Sequence, residues 1–268
     1  MEKTSLIQKA ALLLSAVREE RPLVHCITNY VAANDSANLL LAVGASPIMA
    51  DCAAEASEIA EKADGVLLNL GIPNPDKIRA MQLAGETANL LYKPVVLDPV
   101  GAGVSAYRRG ALRRLLDRVQ VRIIRANAGE MQTLAGGESV SEGVDTVGMV
   151  HHAETFAKAV AERYDCIAAV TGETDVITDG KRTVRILNGH PMLSVLTGSG
   201  CMTSALTAAF MSVADDALAA AIAGIAFMGI CGELAAEHSE LPGSFHAALL
   251  DAAAAMTAGR FLEKIRIE

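Results

Sequence analysis

The sequence predicts an α/β fold, a three-layer αβα sandwich with a mostly parallel central sheet, and three features carry that prediction. Short apolar runs bounded by turn residues recur from the N-terminus to about residue 170. Helical patterns separate them, and after one hairpin the rest of the chain is helical. Apolar runs without alternation fit strands buried on both faces, so helices must cover both sides of the sheet. Strand–helix alternation makes the connections right-handed crossovers.

The elements follow in order. "MEKTSLIQKAALLLSAVREERP" reads as an amphipathic helix framed by Glu2, Lys3 and the charges at 18–21, without a signal-peptide cleavage site. Strands are expected at "PLVHCI" (22–27), "SPIM" (46–49), "GVLLNL" (65–70), "PVVLD" (94–98), "VRIIRA" (121–126) and "CIAAV" (166–170). Between them, "NDSANLLLAV" opens on an Asn or Asp cap, and "DKIRAMQLAGETANLLY" shows helical spacing. "TDVITDGKRTVRILN" reads as a hairpin turning at Asp179-Gly180. Helices are then expected at 200–213, 215–238 and 243–265, with a Pro-Gly break at 242–243. With no repeat, linker or low-complexity tail, residues 1–268 form one domain.

Composition narrows the function. The formal net charge of −8 argues against nucleic acid or an anionic membrane as partner. Two uncharged stretches, 194–214 and 217–232, are broken by Gly, Ser and Thr or too short and Ala/Gly-rich, so both read as buried helices rather than membrane spans. The five cysteines are odd in number and lack zinc-site spacing. A reduced, cytoplasmic protein is expected.

In open α/β sheets ligands bind beyond the carboxyl ends of the strands. There "VVLDPVGAG" delivers Asp98, and "IIRANAGEM" delivers Arg125, Asn127 and Glu130. Taken singly, Asp98 reads equally as the start of a proline turn, and Asn127 with Glu130 as a capping box. Taken together, two carboxylates at one sheet edge suit Mg2+, which prefers carboxylates, waters and phosphate oxygens. "LTGSGCMTSAL" (196–206) supplies the complement: small residues and a thiol where a helix begins, and helix N-termini attract anions. A metal, an N–H cradle and an acceptor hydroxyl are the kit of phosphoryl transfer. Walker A is absent, and neither glycine turn matches GxGxxG.

In sequence order, "HCITNYV" (25–31), "GASPIMAD" (44–51), "LDPVGAG" (97–103), "ANAGE" (126–130), "VTGETDVITDG" (170–180) and "LTGSGC" (196–201) resemble the motifs of the hydroxyethylthiazole kinase family. That is a thiamine-salvage family of the ribokinase-like superfamily. The resemblance spans essentially the whole chain. It implies ATP-dependent phosphorylation of the hydroxyl of 4-methyl-5-(2-hydroxyethyl)thiazole, with Mg2+ as cofactor. By the same resemblance, Gly198, Ser199, Gly200 and Cys201 would form the anion hole for the γ-phosphate. Arg125 and Thr171, with Asn127, would contact ATP; Asp98 and Glu130 would lie near Mg2+. Met49, Gly198 and Asn29 would bound the thiazole pocket. The family implies a homotrimer with sites at subunit interfaces, where His25–Asn29 and Met49 would serve a neighbouring chain. This chain departs from the family at Gly129, usually Ser, and at Ser199, usually Thr; neither change removes a carboxylate or an anion-hole glycine.

Cys201 stands where more distant relatives carry Asp. A free thiol has a pKa near ~8.5, and a triphosphate beside it would raise that value, so a mostly protonated thiol is expected. It would orient the hydroxyl and accept its proton late, as a weak base. Three alternatives stay open at this level: a kinase for another primary alcohol, such as hydroxymethylpyrimidine or a pyridoxal-like compound; an ATP-dependent dehydratase of hydrated nicotinamide nucleotides; and a nucleotide-binding module without turnover. Cys26, Cys166 and Cys231 read as inert, and the histidines at 151, 152, 190, 238 and 246 as surface or turn residues.

Overall fold

The computed structural model describes residues 2–136 and 146–268. Helix α1 (Glu2–Glu20) leads into β1 (Leu23–Ile27), α2 (Ala33–Val43), β2 (Ser46–Ile48), α3 (Ala56–Lys62) and β3 (Gly65–Asn69). Then come α4 (Pro75–Leu90), β4 (Val95–Asp98), α5 (Ala106–Leu116), β5 (Ile123–Asn127), α6 (Ala128–Ala135), α7 (Thr146–Tyr164) and β6 (Ile167–Thr171). The chain closes with β7 (Asp175–Thr178), β8 (Thr183–Ile186), α8 (Met192–Val195), α9 (Ser199–Ser212), α10 (Ala217–His238), α11 (Pro242–Ala255) and α12 (Ala258–Lys264).

The strands form one eight-stranded sheet in the order β2-β1-β3-β4-β5-β6-β7-β8. Pairing is parallel from β2 to β6 and antiparallel at β6–β7 and β7–β8. Strands β1, β3, β4 and β6 are buried on both faces, as their apolar runs require, while edge strand β2 is half-buried. On one face Cys26, Leu67, Val96 and Ile123 pack with α1, α2, α9, α10 and α11. On the other, Ile27, Leu68, Leu97 and Ile124 pack with α3, α4, α5, α6 and α7. This is the expected three-layer sandwich.

Caps fix where helices start. Asn74 accepts from the Lys77 amide ahead of Pro75 at the first turn of α4, and Ser105 does the same for α5 from Arg108. Helix α10 is long and apolar enough to cross a membrane, but it is the buried centre of one helical layer.

The C-terminal expectation needs correction. Residues 243–265 are not one helix, because α11 ends at Ala255 and Thr257 caps α12 by accepting from the Arg260 amide at 3.1 Å. The expected break before this region is present, since α10 ends at His238, and Pro242 occupies the first turn of α11, where the missing N–H costs nothing.

Candidate active site

Because β1, β3, β4, β5 and β6 run parallel, their carboxyl ends meet at one edge of the sheet. Asn69 and Asp98 pair in register across β3 and β4, and Asn127 pairs with Thr171 across β5 and β6. Asn29 follows β1. Helix α9 points its N-terminus at the same edge.

A chain of side-chain hydrogen bonds links these groups. The amide of Asn29 donates to Cys201 Sγ at 3.4 Å and to Asn69 Oδ1 at 3.1 Å. Asn69 donates in turn to Asp98 Oδ2 at 2.9 Å, and the Ser204 hydroxyl donates to the same oxygen at 2.8 Å. Arg125 Nη1 lies 3.7 Å from that oxygen, while its Nη2 bonds the Thr171 hydroxyl. Asp98 is fully buried, and its Oδ1 has no partner. Burial, countered by Arg125, raises its pKa to about 6, and the nearby charge of Glu130 adds to the rise.

The glycine turn is built for close approach. Gly198 caps α9 at φ 83, the left-handed region that glycine enters without strain, and a Cβ there would sit 2.9 Å from Ala32 Cβ. A Cβ on Gly200 would lie 2.6 Å from Arg125 Nη1, so the guanidinium rests against the bare backbone of this turn. Helix geometry leaves the Gly200 and Cys201 amides without intrahelical acceptors. Donors, helix dipole and guanidinium converge on one anion-sized place.

Cys201 is half-buried. Burial raises its pKa, Asp98 adds to the rise, and the Asn69 and Asn29 amides oppose it. The thiol is therefore neutral near pH 7, as expected, with burial and Asp98 as the cause. Cys26 and Cys166 are pushed up to about 12 by burial, and Cys231 is raised too.

Glu130 and Asn127 do form the capping box: Asn127 Oδ1 accepts from the Glu130 amide, and Glu130 Oε2 from the Asn127 amide, both at 2.9 Å. Glu130 Oε1 also accepts from Gly101 N at 2.8 Å, tying the turn after β4 to α6. Among the described residues no three His, Cys, Asp or Glu side chains gather as a metal cage. Two carboxylates, one with an unpartnered oxygen, fit a divalent ion completed by waters and phosphate oxygens.

Met49 stands outside this network, past the end of edge strand β2 and half-buried against the core. His25 is buried, its Nε2 2.7 Å from the Ala50 carbonyl. Asn29 contacts Cys201 of its own chain. Sequence reasoning missed Asn69, Ser204 and Asp175. A polar residue inside the apolar run "GVLLNL" was the available signal for Asn69.

Beside the network a cleft of about 620 Å3 opens along the sheet edge, lined by Arg125, Thr171, Asp175, Gly200, Thr203 and Met228 among others. Asp175 accepts from Gly172 N at 2.9 Å, and burial raises its pKa to about 7.

Known proteins resemble this chain over nearly its whole length. The profile of the Hydroxyethylthiazole kinase family matches residues 14–259. A protein of Desulforudis audaxviator named hydroxyethylthiazole kinase is 44% identical over 268 residues, covering 100% of this chain and 98% of its own. One of Ruminiclostridium cellulolyticum with the same name is 44% identical over 260 residues, 95% of each. The solved hydroxyethylthiazole kinase protein from Pyrococcus horikoshii OT3 superimposes with a TM-score of 0.89 at 38% identity, covering 97% of this chain and 98% of that one.

Proposed function

The chain belongs to the hydroxyethylthiazole kinase family, and from that premise we propose how its own residues carry the reaction. The enzyme phosphorylates hydroxyethylthiazole in thiamine salvage, with ATP as co-substrate.

In this reading the amides of Gly198–Cys201 and the Arg125 guanidinium hold the γ-phosphate, and Thr171 and Asn127 contact the nucleotide. Asn29, Met49 and Gly198 bound the thiazole. The observation that carries the reading is the continuous hydrogen-bonded line Cys201–Asn29–Asn69–Asp98, which ends beside an arginine packed on the glycine turn. Asp98 and Glu130 would hold Mg2+ through waters, and the ion would neutralise phosphate charge as the bond to the leaving oxygen breaks.

The acceptor hydroxyl oxygen bonds to the γ-phosphorus, the bond from that phosphorus to the bridging oxygen breaks, and ADP leaves. A neutral thiol has no site basic enough for the proton, so the weak-base role expected of Cys201 from the sequence gives way to orienting the hydroxyl, and the proton departs late to solvent. A loose transition state needs little early deprotonation. Oriented donors, each worth roughly 10²–10³ in rate, then carry most of the acceleration.

We read 1–268 as one kinase domain, which the unbroken eight-stranded sheet supports. A homotrimer with sites at subunit interfaces accords with the exposed apolar residues Tyr30 and Val31, which directly follow Asn29. A cytoplasmic location accords with five unpaired cysteines. Light scattering on the purified protein tests the trimer.

The direct test is ADP release with Mg·ATP and a panel of hydroxyethylthiazole, hydroxymethylpyrimidine and pyridoxal. Turnover confined to the thiazole alcohol supports the pocket assignment, and turnover with another alcohol discards it. No turnover with any of them sinks the mechanism.

A further inference from the structure

The nucleotide cleft contains a carboxylate that the phosphoryl-transfer chemistry leaves unused. Asp175 opens β7, is only 8% exposed and lines the cleft beside Thr171 and Arg125. Its Oδ1 accepts from Gly172 N at 2.9 Å, which shapes the turn between β6 and β7. Among the described residues its Oδ2 accepts no hydrogen bond.

Phosphates repel a carboxylate, so Asp175 is not a ligand for them. Its position along the sheet says what it faces instead. Arg125, which packs on Gly200 at the γ-phosphate place, belongs to β5; Thr171 ends β6; Asp175 begins β7. These three strands are successive neighbours. The guanidinium itself spans from Asp98 on β4 to the Thr171 hydroxyl on β6, so Asp175 lies about one strand spacing of ~4.8 Å beyond it, on the side of the cleft away from Asp98. Past its phosphates, the next part of ATP along the cleft is the sugar. Ile225 and Met228 of α10, a helix that packs on β6, β7 and β8, add an apolar wall to the same cleft, suited to a base.

We propose that Asp175 Oδ2 accepts hydrogen bonds from the ribose hydroxyls of ATP, making Asp175 the residue that selects ribonucleotides over deoxynucleotides. The inference rests on the ATP-kinase reading above. Two vicinal hydroxyls are the neutral donors a nucleoside triphosphate carries between its anionic and aromatic parts. They supply the solvation that burial has taken from this carboxyl, whose pKa stands near 7 for that reason.

The test compares kcat and KM for ATP, 2′-deoxy-ATP, 3′-deoxy-ATP and ITP at saturating thiazole alcohol, in the wild type, Asp175→Ala and Asp175→Asn. A hydrogen bond to a charged group is worth roughly ten- to a hundredfold, so wild-type kcat/KM should fall by that factor, through KM, on removal of a hydroxyl. Asp175→Ala should flatten the ribo/deoxy ratio to about unity, leaving no charged acceptor to lose. Asp175→Asn keeps an oxygen for the Gly172 amide, so it preserves the turn and should show an intermediate ratio. Wild-type indifference to the deoxy analogues overturns the proposal. So does full discrimination retained in both variants. Loss of the ATP/ITP difference instead, in Asp175→Ala, would place the carboxylate on the base and also overturn it. Absence of phosphoryl transfer from any nucleotide in the wild type would reject the kinase reading itself.

Discussion

Asn69 and Asp98 face each other in register across β3 and β4, and the asparagine amide donates to the carboxylate at 2.9 Å. The same side chain accepts from Asn29 and from Gly71 N. One residue thus ties the Asn29–Cys201 end of the network to Asp98, which lies beside Arg125. Neither Asn69 nor Asp98 has any exposed surface, so nothing in solution replaces a lost bond.

Asn69→Ala should therefore damage both stability and rate. An unsatisfied buried polar group costs ~1–3 kcal/mol, and Asn29, Asp98 and the Gly71 amide each lose a partner, partly offset by local rearrangement. Thermal unfolding should show a clearly lowered Tm. Steady-state assays should show kcat down by roughly 10–100-fold, because Cys201 and Asp98 lose their common anchor. A folded variant with wild-type kcat would mean the network is structural only.

Cys201 tests how the acceptor hydroxyl is handled. Cys201→Ala should slow turnover while KM for ATP stays within about threefold, since the proposed mechanism sets the thiol against the acceptor hydroxyl rather than the nucleotide. Cys201→Asp should remain active, at a cost in stability from a second carboxylate near Asp98. Because burial and Asp98 keep the thiol neutral, the wild-type rate should show no step attributable to it between pH 6 and 8. An unchanged rate in Cys201→Ala would remove even an orienting role.

How much of this was legible in the sequence depends on whether a residue's signal was local. Asp98, Arg125, Asn127, Glu130 and the 198–201 turn were readable because each closes an apolar run or opens a helix, where function is expected in parallel sheets. The sheet was readable for the same reason. Ser204 was hidden, because a serine one turn beyond Cys201 looks like any small residue in an Ala-rich helix. Its bond to Asp98 spans 106 positions in the chain. Asp175 was hidden inside a hairpin motif, where an Asp reads as a turn former. The split between α11 and α12 was masked by the alanines before Thr257, although that threonine is itself an N-cap signal.

The buried carboxyl of Asp98 also predicts a pH signature. Its pKa is raised from 3.8 to about 6 by burial, so the folded state binds the proton more tightly than the unfolded one. The stability this group contributes is full below pH 4, is lost as pH rises from about 4 to 6, and is level above. A rise of about two units corresponds to roughly 3 kcal/mol. Asp98→Asn removes that dependence. Its Tm, relative to wild type, should climb between pH 4 and 6 and then plateau, while activity should fall because Arg125 loses the carboxylate beside it and the proposed metal site loses a ligand. Taking the difference from wild type cancels the parallel titration of Asp175, whose carboxyl is also raised. A Tm difference that ignores pH over this window would contradict the burial argument.

The two glycines of the turn should separate shape from chemistry. At Gly198 the backbone is left-handed, and an added Cβ would meet Ala32 Cβ at 2.9 Å, so Gly198→Ala should strain the helix entry by at least ~1–2 kcal/mol and lower Tm and kcat together. Gly200 sits within α9, with ordinary helical backbone, and its added Cβ would meet the far end of Arg125 at 2.6 Å. An arginine tip can swing aside, and alanine is the better helix former by up to ~1 kcal/mol, so Gly200→Ala should leave Tm nearly unchanged. The cost falls on function instead. The guanidinium is displaced from the place proposed for the transferred phosphate, and losing one such contact costs ~10²–10³ in kcat. Differential scanning calorimetry beside steady-state kinetics decides between them. If Gly200→Ala kept full activity, Arg125 would have no part in phosphate binding, and the Gly198–Cys201 amides would have to carry the anion alone.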